Sequence, residues 1–321
     1  MSYADFINLA SFRLLVFLLS GSEEGRSTGE GVLSSRAAAR LGLGLLLLPP
    51  LATLVVLFAA PMALMAVYSF WSVDDNYQLI QSAGLGQYVQ IFENPLYMTT
   101  LWNSVVMAAL TTIACLVLAL PLAWFISRHV GQRWRVPLII GLILPGWVSL
   151  LIRTYSMNLV LGEAGLINWG LSSAGLIDSP LHILFSKPAV VIGLVYIYLP
   201  YTLVPIYGAI ERLDNAVLEA AENLGAGTLR RLWKVVLPLI MPGIVAGCII
   251  TFIPALGEYL VPNLLGGLQG TMYANLIGTS FQSFNWPLGA ALSVVLLLAI
   301  LGFLFLISRV ADVNRSLLAE Q

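Results

Sequence analysis

The chain has 321 residues, of which 59% are hydrophobic and only 10% are charged, and its mean hydropathy is +0.90. A soluble domain carries roughly a quarter of its residues as charged side chains, so this composition excludes a soluble globular fold and predicts lipid contact along much of the chain. The net charge of −1 indicates no nucleic-acid partner, and two cysteines are too few for a disulfide framework.

The first forty residues predict a cytoplasmic extension. The segment "FINLASFRLLVFLL" carries Arg13 inside its apolar run and lacks a small-residue cleavage site, which argues against a signal peptide. We expect a helix lying in the cytoplasmic membrane interface, within an extension that covers residues 1–40. The sequence "SGSEEGRSTGEG" then indicates a flexible linker to the first span.

Six apolar segments after residue 40 are candidate membrane-spanning helices, which need roughly 20 residues each. They cover residues 41–68, 104–127, 136–152, 188–210, 237–261 and 288–308. None shows the alternation of a barrel strand, so we predict an all-α membrane protein with six transmembrane helices within residues 41–310 and a tail over 311–321.

The distribution of basic residues predicts the orientation of these spans. When the connections are counted alternately, all but two of the 15 lysines and arginines fall on one side. Because basic residues accumulate on the cytoplasmic side, both termini and the 211–236 connection are predicted to be cytoplasmic. Arg153 and Lys187 are the two exceptions, and both are assigned to the opposite side.

Sequence motifs of common catalytic and nucleotide-binding sites are absent. The chain contains no His-Glu-x-x-His, no Gly-x-Ser-x-Gly and no Gly-x-x-x-x-Gly-Lys-[Ser/Thr] phosphate-binding loop. His129 and His182 are isolated from each other and are predicted on opposite sides of the membrane. We therefore expect a non-enzymatic chain that binds no metal or cofactor, and any ATP-driven step would need another subunit.

The polar 211–236 connection predicts two short helices with a turn between them. Asp214 can cap the first helix, and Gly225 and Gly227 can adopt the left-handed conformation that ends one. Thr228 can cap the second helix, which would end where Leu237-Pro238 opens the fifth span. Two interpretations remain open on physical grounds: a loop that binds acidic lipid headgroups, and a docking surface for a protein partner.

The same segment resembles the "EAA" loop of ABC importer permeases. Its residues follow the pattern Glu-Ala-Ala-x3-Gly-x9-Ile-x-Leu-Pro, with Val235 in place of isoleucine. The resemblance implies that the segment docks on a dimer of ATPase subunits, which bind ATP-Mg. The coupling residues that it implies are Glu219, Ala220, Ala221, Gly225, Leu237 and Pro238.

Further blocks resemble the polyamine (putrescine/spermidine) branch of these permeases, including "LPGWVSLLIRTY" and "GCIITFIPALGEYLVPNLLGG". The resemblance covers about residues 45–310 and implies a type I ABC importer permease fold in a bacterial inner membrane. The partners that it implies are a second permease subunit that is a different chain and a periplasmic substrate-binding protein. Asn263 stands where relatives often carry an acid, so an amino-acid-derived solute stays open beside putrescine and spermidine.

Glu258, near the outer end of the fifth predicted span, is the one acid inside any span. A carboxylate in hydrocarbon costs several kcal/mol unless it meets water, a partner or a ligand, so we predict that it lies on the substrate path. The aromatic residues expected at similar depth, which could bind an amine through their ring faces, are Tyr259, Trp147, Tyr155, Tyr198, Tyr201 and Trp286.

Three alternatives to this substrate path remain. Glu258 could instead form a salt bridge to Arg153, and the aromatic residues could form a belt at the membrane interface. An ion-coupled secondary transporter that uses Glu258 is a less favoured function, because such folds often contain an internal repeat and none is evident in the sequence.

Overall fold

The computed structural model describes residues 47–74 and 78–319, so the N-terminal extension predicted over residues 1–40 lies outside the described residues. Of the described residues, those up to Ala63 belong to one compact unit and those from Leu64 to another. The first span is a helix, α1 (Leu47–Tyr68), which contains a π-helical turn at Val55–Ala59. Proline cannot donate the hydrogen bond of a regular turn, and Pro61 lies two residues after the end of this widened turn.

The remaining secondary structure is almost entirely helical. A small hairpin pairs β1 (Ser72–Val73) antiparallel with β2 (Leu79–Ile80), with Ser72 opposite Ile80. The helices that follow are α2 (Gly86–Glu93), α3 (Pro95–His129), α4 (Gln132–Ile143), α5 (Leu150–Leu161), α6 (Leu166–Ser173), α7 (Lys187–Glu211), α8 (Asn215–Asn223), α9 (Thr228–Leu256), α10 (Tyr273–Gln282) and α11 (Trp286–Ala319).

The described residues contain five candidate membrane spans, or six when one bent pair of segments is counted as a span. Five helices, α1, α3, α7, α9 and α11, are long and apolar enough to cross a bilayer, and the sixth candidate is a pair of segments, Gln132–Trp147 and Leu150–Ser173, that meet at 94°. Pro145 lacks an amide donor and Gly146 is a weak helix former, so α4 tightens to a 3-10 turn that ends at Trp147.

The bent third span corrects the position predicted for Arg153. The predicted span stopped at residue 152 and left Arg153 in an outer connection. In the structure Arg153 lies within α5, and its side chain is 9% exposed. Arg153 is therefore a buried residue of the bundle rather than part of an outer loop.

The centre of the bundle is formed by α3, α7 and α9. A Cβ atom added at Gly243 would lie 2.7 Å from the carbonyl oxygen of Pro205, and one added at Gly247 would lie 3.3 Å from Thr202. Glycine at these two positions allows α7 and α9 to approach closely. The Gly243–Gly247 pair therefore packs within the bundle.

Candidate substrate path and coupling loop

The fifth span is interrupted within the bundle. Its helix α9 ends at Leu256, and a π-helical turn at Pro262–Gly266 resumes the helical path. The second part still follows α7, because Gly266 packs on Val190 near the start of that helix. A proline ring clashes with the carbonyl four residues earlier in a regular helix, which is the carbonyl of Glu258. The break therefore falls at residues 257–259.

Glu258 lies in this break and not near the outer end of an unbroken span. Its Oε2 accepts a hydrogen bond from the Tyr198 hydroxyl at 2.8 Å, and its Oε1 accepts one from the Leu260 amide at 3.1 Å. Tyr198 is near the middle of α7, and Glu258 is 9% exposed. Each carboxylate oxygen can accept further hydrogen bonds, so the acid is held in place but not saturated.

The backbone freed by the break is bound by α10. Asn275 is 7% exposed; its Nδ2 donates to the Tyr259 carbonyl at 2.8 Å, and its Oδ1 accepts from the Met272 amide at 3.0 Å. The Tyr273 amide donates to Ser104 Oγ of α3 at 2.7 Å. Unpaired backbone groups inside a membrane protein are costly, so these side chains stabilise the interrupted span.

The stabilising role of the Asn275 hydrogen bonds can be tested by substitution. Replacing Asn275 by leucine keeps the side-chain volume but removes both hydrogen bonds. It leaves the buried Met272 amide unpaired, whereas the Tyr259 carbonyl keeps its bond from the Asn263 amide at 3.2 Å. We expect the free energy of unfolding of the purified complex to fall by about 1–3 kcal/mol, measured by denaturant titration. The control is Asn263→Leu, because Asn263 is exposed and its side chain forms no hydrogen bond with another described residue. An equal loss of unfolding free energy in both variants would contradict the claim that the Asn275 hydrogen bonds stabilise the interrupted span.

A groove of about 520 Å³ opens between the break and α10, and its walls include Gly257, Tyr259, Phe281 and Gln282. The Tyr259 hydroxyl accepts a hydrogen bond from Gln282 Nε2 at 3.0 Å. Trp286 packs against Phe281 with ring centroids 5.5 Å apart. Two of the predicted aromatic residues, Tyr259 and Trp286, are thus associated with one aromatic groove beside Glu258.

The other predicted aromatic residues lie near the bend of the third span. The Tyr201 hydroxyl packs on Gly146, where an added Cβ would lie 2.6 Å away, and Trp147 is the next residue in the 3-10 turn. Trp147 is 88% exposed and Tyr155, on α5, is 56% exposed. Within this chain, the predicted aromatic wall is divided into two groups, and Tyr198 is the aromatic residue bonded to the acid.

The predicted alternative of a salt bridge from Glu258 to Arg153 is not observed. Within the part of the chain that the structure describes, no ion pair joins them within 4.0 Å. The Tyr198 hydroxyl and the Leu260 amide are the partners of the carboxylate instead.

The first half of the 211–236 connection, the candidate coupling loop, has the predicted helix cap and glycine turn. Asp214 Oδ1 accepts a hydrogen bond from the Ala216 amide at 2.9 Å and caps α8. Gly225 has φ +78°, and its amide donates to the Glu222 carbonyl at 2.9 Å. A residue with a side chain rarely adopts this conformation, so glycine is required where α8 ends.

The second half of the loop differs from the prediction. Gly227 is extended rather than left-handed, and Thr228 is the first helical residue and makes no capping hydrogen bond. The turn at Gly225 already reverses the chain, so the next residues only need to enter a new helix. That helix is not separate from the fifth span: it continues through a π-helical turn, Leu232–Val236, that gives Pro238 room in an unbroken α9.

Ion pairs and hydrogen bonds attach the loop to the spans. Arg231 Nη1 lies 2.7 Å from Glu222 Oε2 and so joins α9 to α8. At the start of α8, Arg128 of α3 donates to the Asn215 side chain and to the Leu213 carbonyl. A displacement of α8 would therefore act on both α3 and α9.

A second attachment lies at the end of α7. Glu211 Oε1 is 2.8 Å from Arg135 Nη1 of α4, and its Oε2 accepts a hydrogen bond from Ser127 of α3 at 3.0 Å. The carboxylate thus joins the ends of three spans close to the coupling loop.

The outer surface of this segment exposes apolar side chains among charged ones. Glu219 and Ala220 are exposed, and Ala221 is half-buried. The exposed apolar side chains around them are Val217, Leu224, Leu229 and Trp233, of which Leu224 is 88% exposed. Exposed large apolar side chains beside charged ones are compatible with a protein interaction site.

The model of the family described as "Binding-protein-dependent transport system inner membrane component" matches residues 95–315. The chain belongs to this family. It is therefore a permease subunit of an ABC importer and a multi-pass inner-membrane protein, as the sequence predicts.

Curated relatives of this permease cover most of its length. The spermidine/putrescine transport system permease protein PotB of Haemophilus influenzae is 40% identical over 255 residues, which is 78% of this chain and 88% of the relative. PotB of Escherichia coli K12 is 38% identical over 79% of this chain and 92% of the relative. The inner membrane ABC transporter permease protein YdcU of Escherichia coli K12 is 31% identical over 84% and 90%.

Solved structures confirm the permease fold. A bacterial ABC transporter involved in the import of the acidic polysaccharide alginate has a TM-score of 0.66 at 19% identity and covers 86% of this chain and 98% of its own. The alginate transporter in complex with an alginate pentasaccharide-bound periplasmic protein has a TM-score of 0.65 at 18% identity, over 83% and 92%. At these identities the likeness shows the fold alone.

Proposed function

We propose that this permease forms half of the translocation path for putrescine or spermidine in an ATP-driven importer. The observation that carries the proposal is Glu258, a buried acid in the break of a membrane span that retains capacity to accept hydrogen bonds from an ammonium group. The relatives named spermidine/putrescine permeases, at 38–40% identity, support the same class of substrate.

The side chains around Glu258 suit an organic cation. The Tyr198 hydroxyl fixes one carboxylate oxygen and leaves the acid open to a charged donor. Tyr259 and Trp286 supply ring faces beside the groove, and a desolvated cation over such a ring gains about 2 kcal/mol. Trp147, Tyr155 and Tyr201 form the second aromatic group, which extends the path toward the second permease subunit, a different chain.

The coupling loop is the site at which ATP hydrolysis acts on this path. In the proposal, Glu219, Ala220, Ala221 and Gly225 dock on the ATPase dimer, which holds ATP-Mg, while this chain binds no cofactor. Leu237 and Pro238 lie on the continuous α9, so a movement of the docked loop is passed along α9 to the break at Glu258. A periplasmic binding protein delivers the solute from the other side.

A second candidate cargo is favoured by one residue. Asn263 is exposed in the turn that follows the break, where an acid would add a second negative charge for a multivalent cation. With an amide there, an amino-acid-derived solute with one positive charge is also matched by Glu258.

Reconstitution of the complete importer tests the proposal. We expect labelled spermidine and putrescine to enter proteoliposomes only with ATP and the binding protein, and faster than a singly charged amino acid derivative. Preferential uptake of the latter would favour the second cargo. Uptake by this chain alone, driven by an ion gradient without ATP, would instead indicate a secondary transporter.

A further inference from the structure

Arg153 is a buried cation without a partner. Its side chain is 9% exposed, and its Nε is buried and has no hydrogen-bond partner. Among the described residues, its side chain forms neither a hydrogen bond nor an ion pair. Removing a guanidinium group from water costs several kcal/mol unless it is paired, so this charge needs a partner that the described arrangement does not supply.

The buried face of α5 places Arg153 beside the break in the fifth span. Leu150 and Met157, one turn before and one turn after it, pack on a core that contains Leu256 and Val261. These two residues flank Glu258 on either side. Tyr198, the hydrogen-bond partner of Glu258, packs on the same core. Asn158 Nδ2 of α5 also donates to the Leu264 carbonyl, just after the break, at 3.4 Å.

Glu258 is the available partner for this charge. Within the described residues it is the only buried acid, and Arg153 is the only buried base. Glu211 is engaged with Arg135 at the end of α7, and Glu163 is engaged with His182 on the exposed surface. The Glu258 carboxylate accepts one hydrogen bond on each oxygen and can accept more.

We propose that Arg153 is an internal counter-ion that competes with the substrate's ammonium group for Glu258. The inference rests on the proposed function, in which Glu258 meets the amine. In the described arrangement the two charged groups are apart; in the proposal the guanidinium pairs with the carboxylate in another state of the transport cycle, in which it competes with the ammonium group for the same acid. With Arg153 apart, the Tyr198 hydroxyl and the Leu260 amide hold the carboxylate in position for the incoming cation.

This competition has a purpose in transport. A path must bind its solute well enough to admit it and weakly enough to release it. An unopposed carboxylate in a dry bundle would retain a polyamine, because charges attract strongly where the dielectric constant is low. A tethered guanidinium that returns to the carboxylate lowers the cost of release and satisfies both buried charges afterwards.

Equilibrium binding of labelled spermidine to the purified permease–ATPase complex, without the binding protein, tests the proposal. We expect Arg153→Met to bind spermidine about tenfold more tightly than the wild type, because the competitor is gone. Arg153→Gln, measured beside it in case Arg153→Met fails to fold, should show the same gain. Arg153→Lys, which keeps the charge, should reverse most of it, and the neutral analogue N,N′-diacetylputrescine should show no gain.

The outcome separates the counter-ion from other roles. A side chain that only supports the fold would weaken binding when replaced, so equal or weaker binding by Arg153→Met and Arg153→Gln overturns the proposal. The double variant Arg153→Met/Glu258→Gln should lose the gain, and its retention would also overturn it. If Glu258→Gln alone leaves uptake of both amines unchanged, the proposed function fails. If it impairs uptake while Arg153→Met binds no tighter, only the counter-ion proposal fails.

Discussion

Replacement of Gly225 by valine is expected to uncouple ATP hydrolysis from solute uptake, whereas the same replacement at Gly227 is not. Gly225 has φ +78° and Gly227 has φ −61°, and a Cβ atom at either position would meet nothing within 4 Å. The two variants therefore differ in backbone conformation and not in crowding. A left-handed conformation costs a residue with a side chain about 1–2 kcal/mol, and valine adds a second branch that stiffens it.

Because valine is strained in this turn, we expect the turn to adopt another conformation. That change would displace α8, which carries Ala220 and Ala221, relative to α9. The strain energy of this turn corresponds to about a factor of ten, because about 1.4 kcal/mol changes an equilibrium constant tenfold. We therefore expect the number of solute molecules taken up per ATP hydrolysed to fall about tenfold or more. The complex should still purify intact, because Gly225 is exposed. Normal coupling in Gly225→Val, or an equal loss in Gly227→Val, would count against the docking role of this loop.

Replacement of Glu258 by glutamine is expected to abolish most uptake without preventing assembly. Glutamine has nearly the same shape, and its one side-chain oxygen can still accept the hydrogen bond from the Leu260 amide, while its NH2 group can donate to the Tyr198 hydroxyl. The change removes the negative charge and reverses the direction of one hydrogen bond. A hydrogen bond to a charged partner contributes about 1.5–3 kcal/mol, so we expect the rate of polyamine uptake to fall by about 10- to 100-fold, measured with labelled spermidine at a saturating concentration of loaded binding protein.

The control for this variant is Glu163→Gln. Glu163 undergoes the same chemical change, but it is exposed on the surface, where it pairs with His182 at 2.8 Å. We expect uptake by Glu163→Gln to equal that of the wild type. If both variants retain full uptake, Glu258 does not contact the substrate, and if both lose it equally, the effect is not specific to the break.

The sequence predicts the spans well because their length and composition reflect the thickness of the bilayer. It fails where a span is interrupted. The third span was predicted to stop at residue 152, yet the chain continues as α5, bent by 94°. Hydropathy cannot separate a buried face from a lipid-facing one when both are apolar, so Arg153 was assigned to an outer connection. Pro262, four residues after Glu258, was the available signal for the second break.

The coupling loop and the path differ in how far sequence reasoning reaches. Asp214 and Gly225 were predictable because caps and glycine turns are local, determined by residues a few positions apart. The hydrogen bonds that stabilise the break are not predictable in this way. Ser104 and Tyr273 are 169 positions apart, and Asn275 resembles any polar residue in a loop. The aromatic residues were predicted by depth alone, which gives no information on the direction of a side chain around a helix.

The central claim is that a carboxylate in the break of the fifth span recognises the positive charge of the solute. Its most direct test is the ratio of initial uptake rates, wild type over Glu258→Gln, for spermidine and for putrescine in the same proteoliposomes. The account predicts a ratio of about ten or more for both amines and a larger ratio for spermidine, which carries more charge. A ratio near one for both would contradict it.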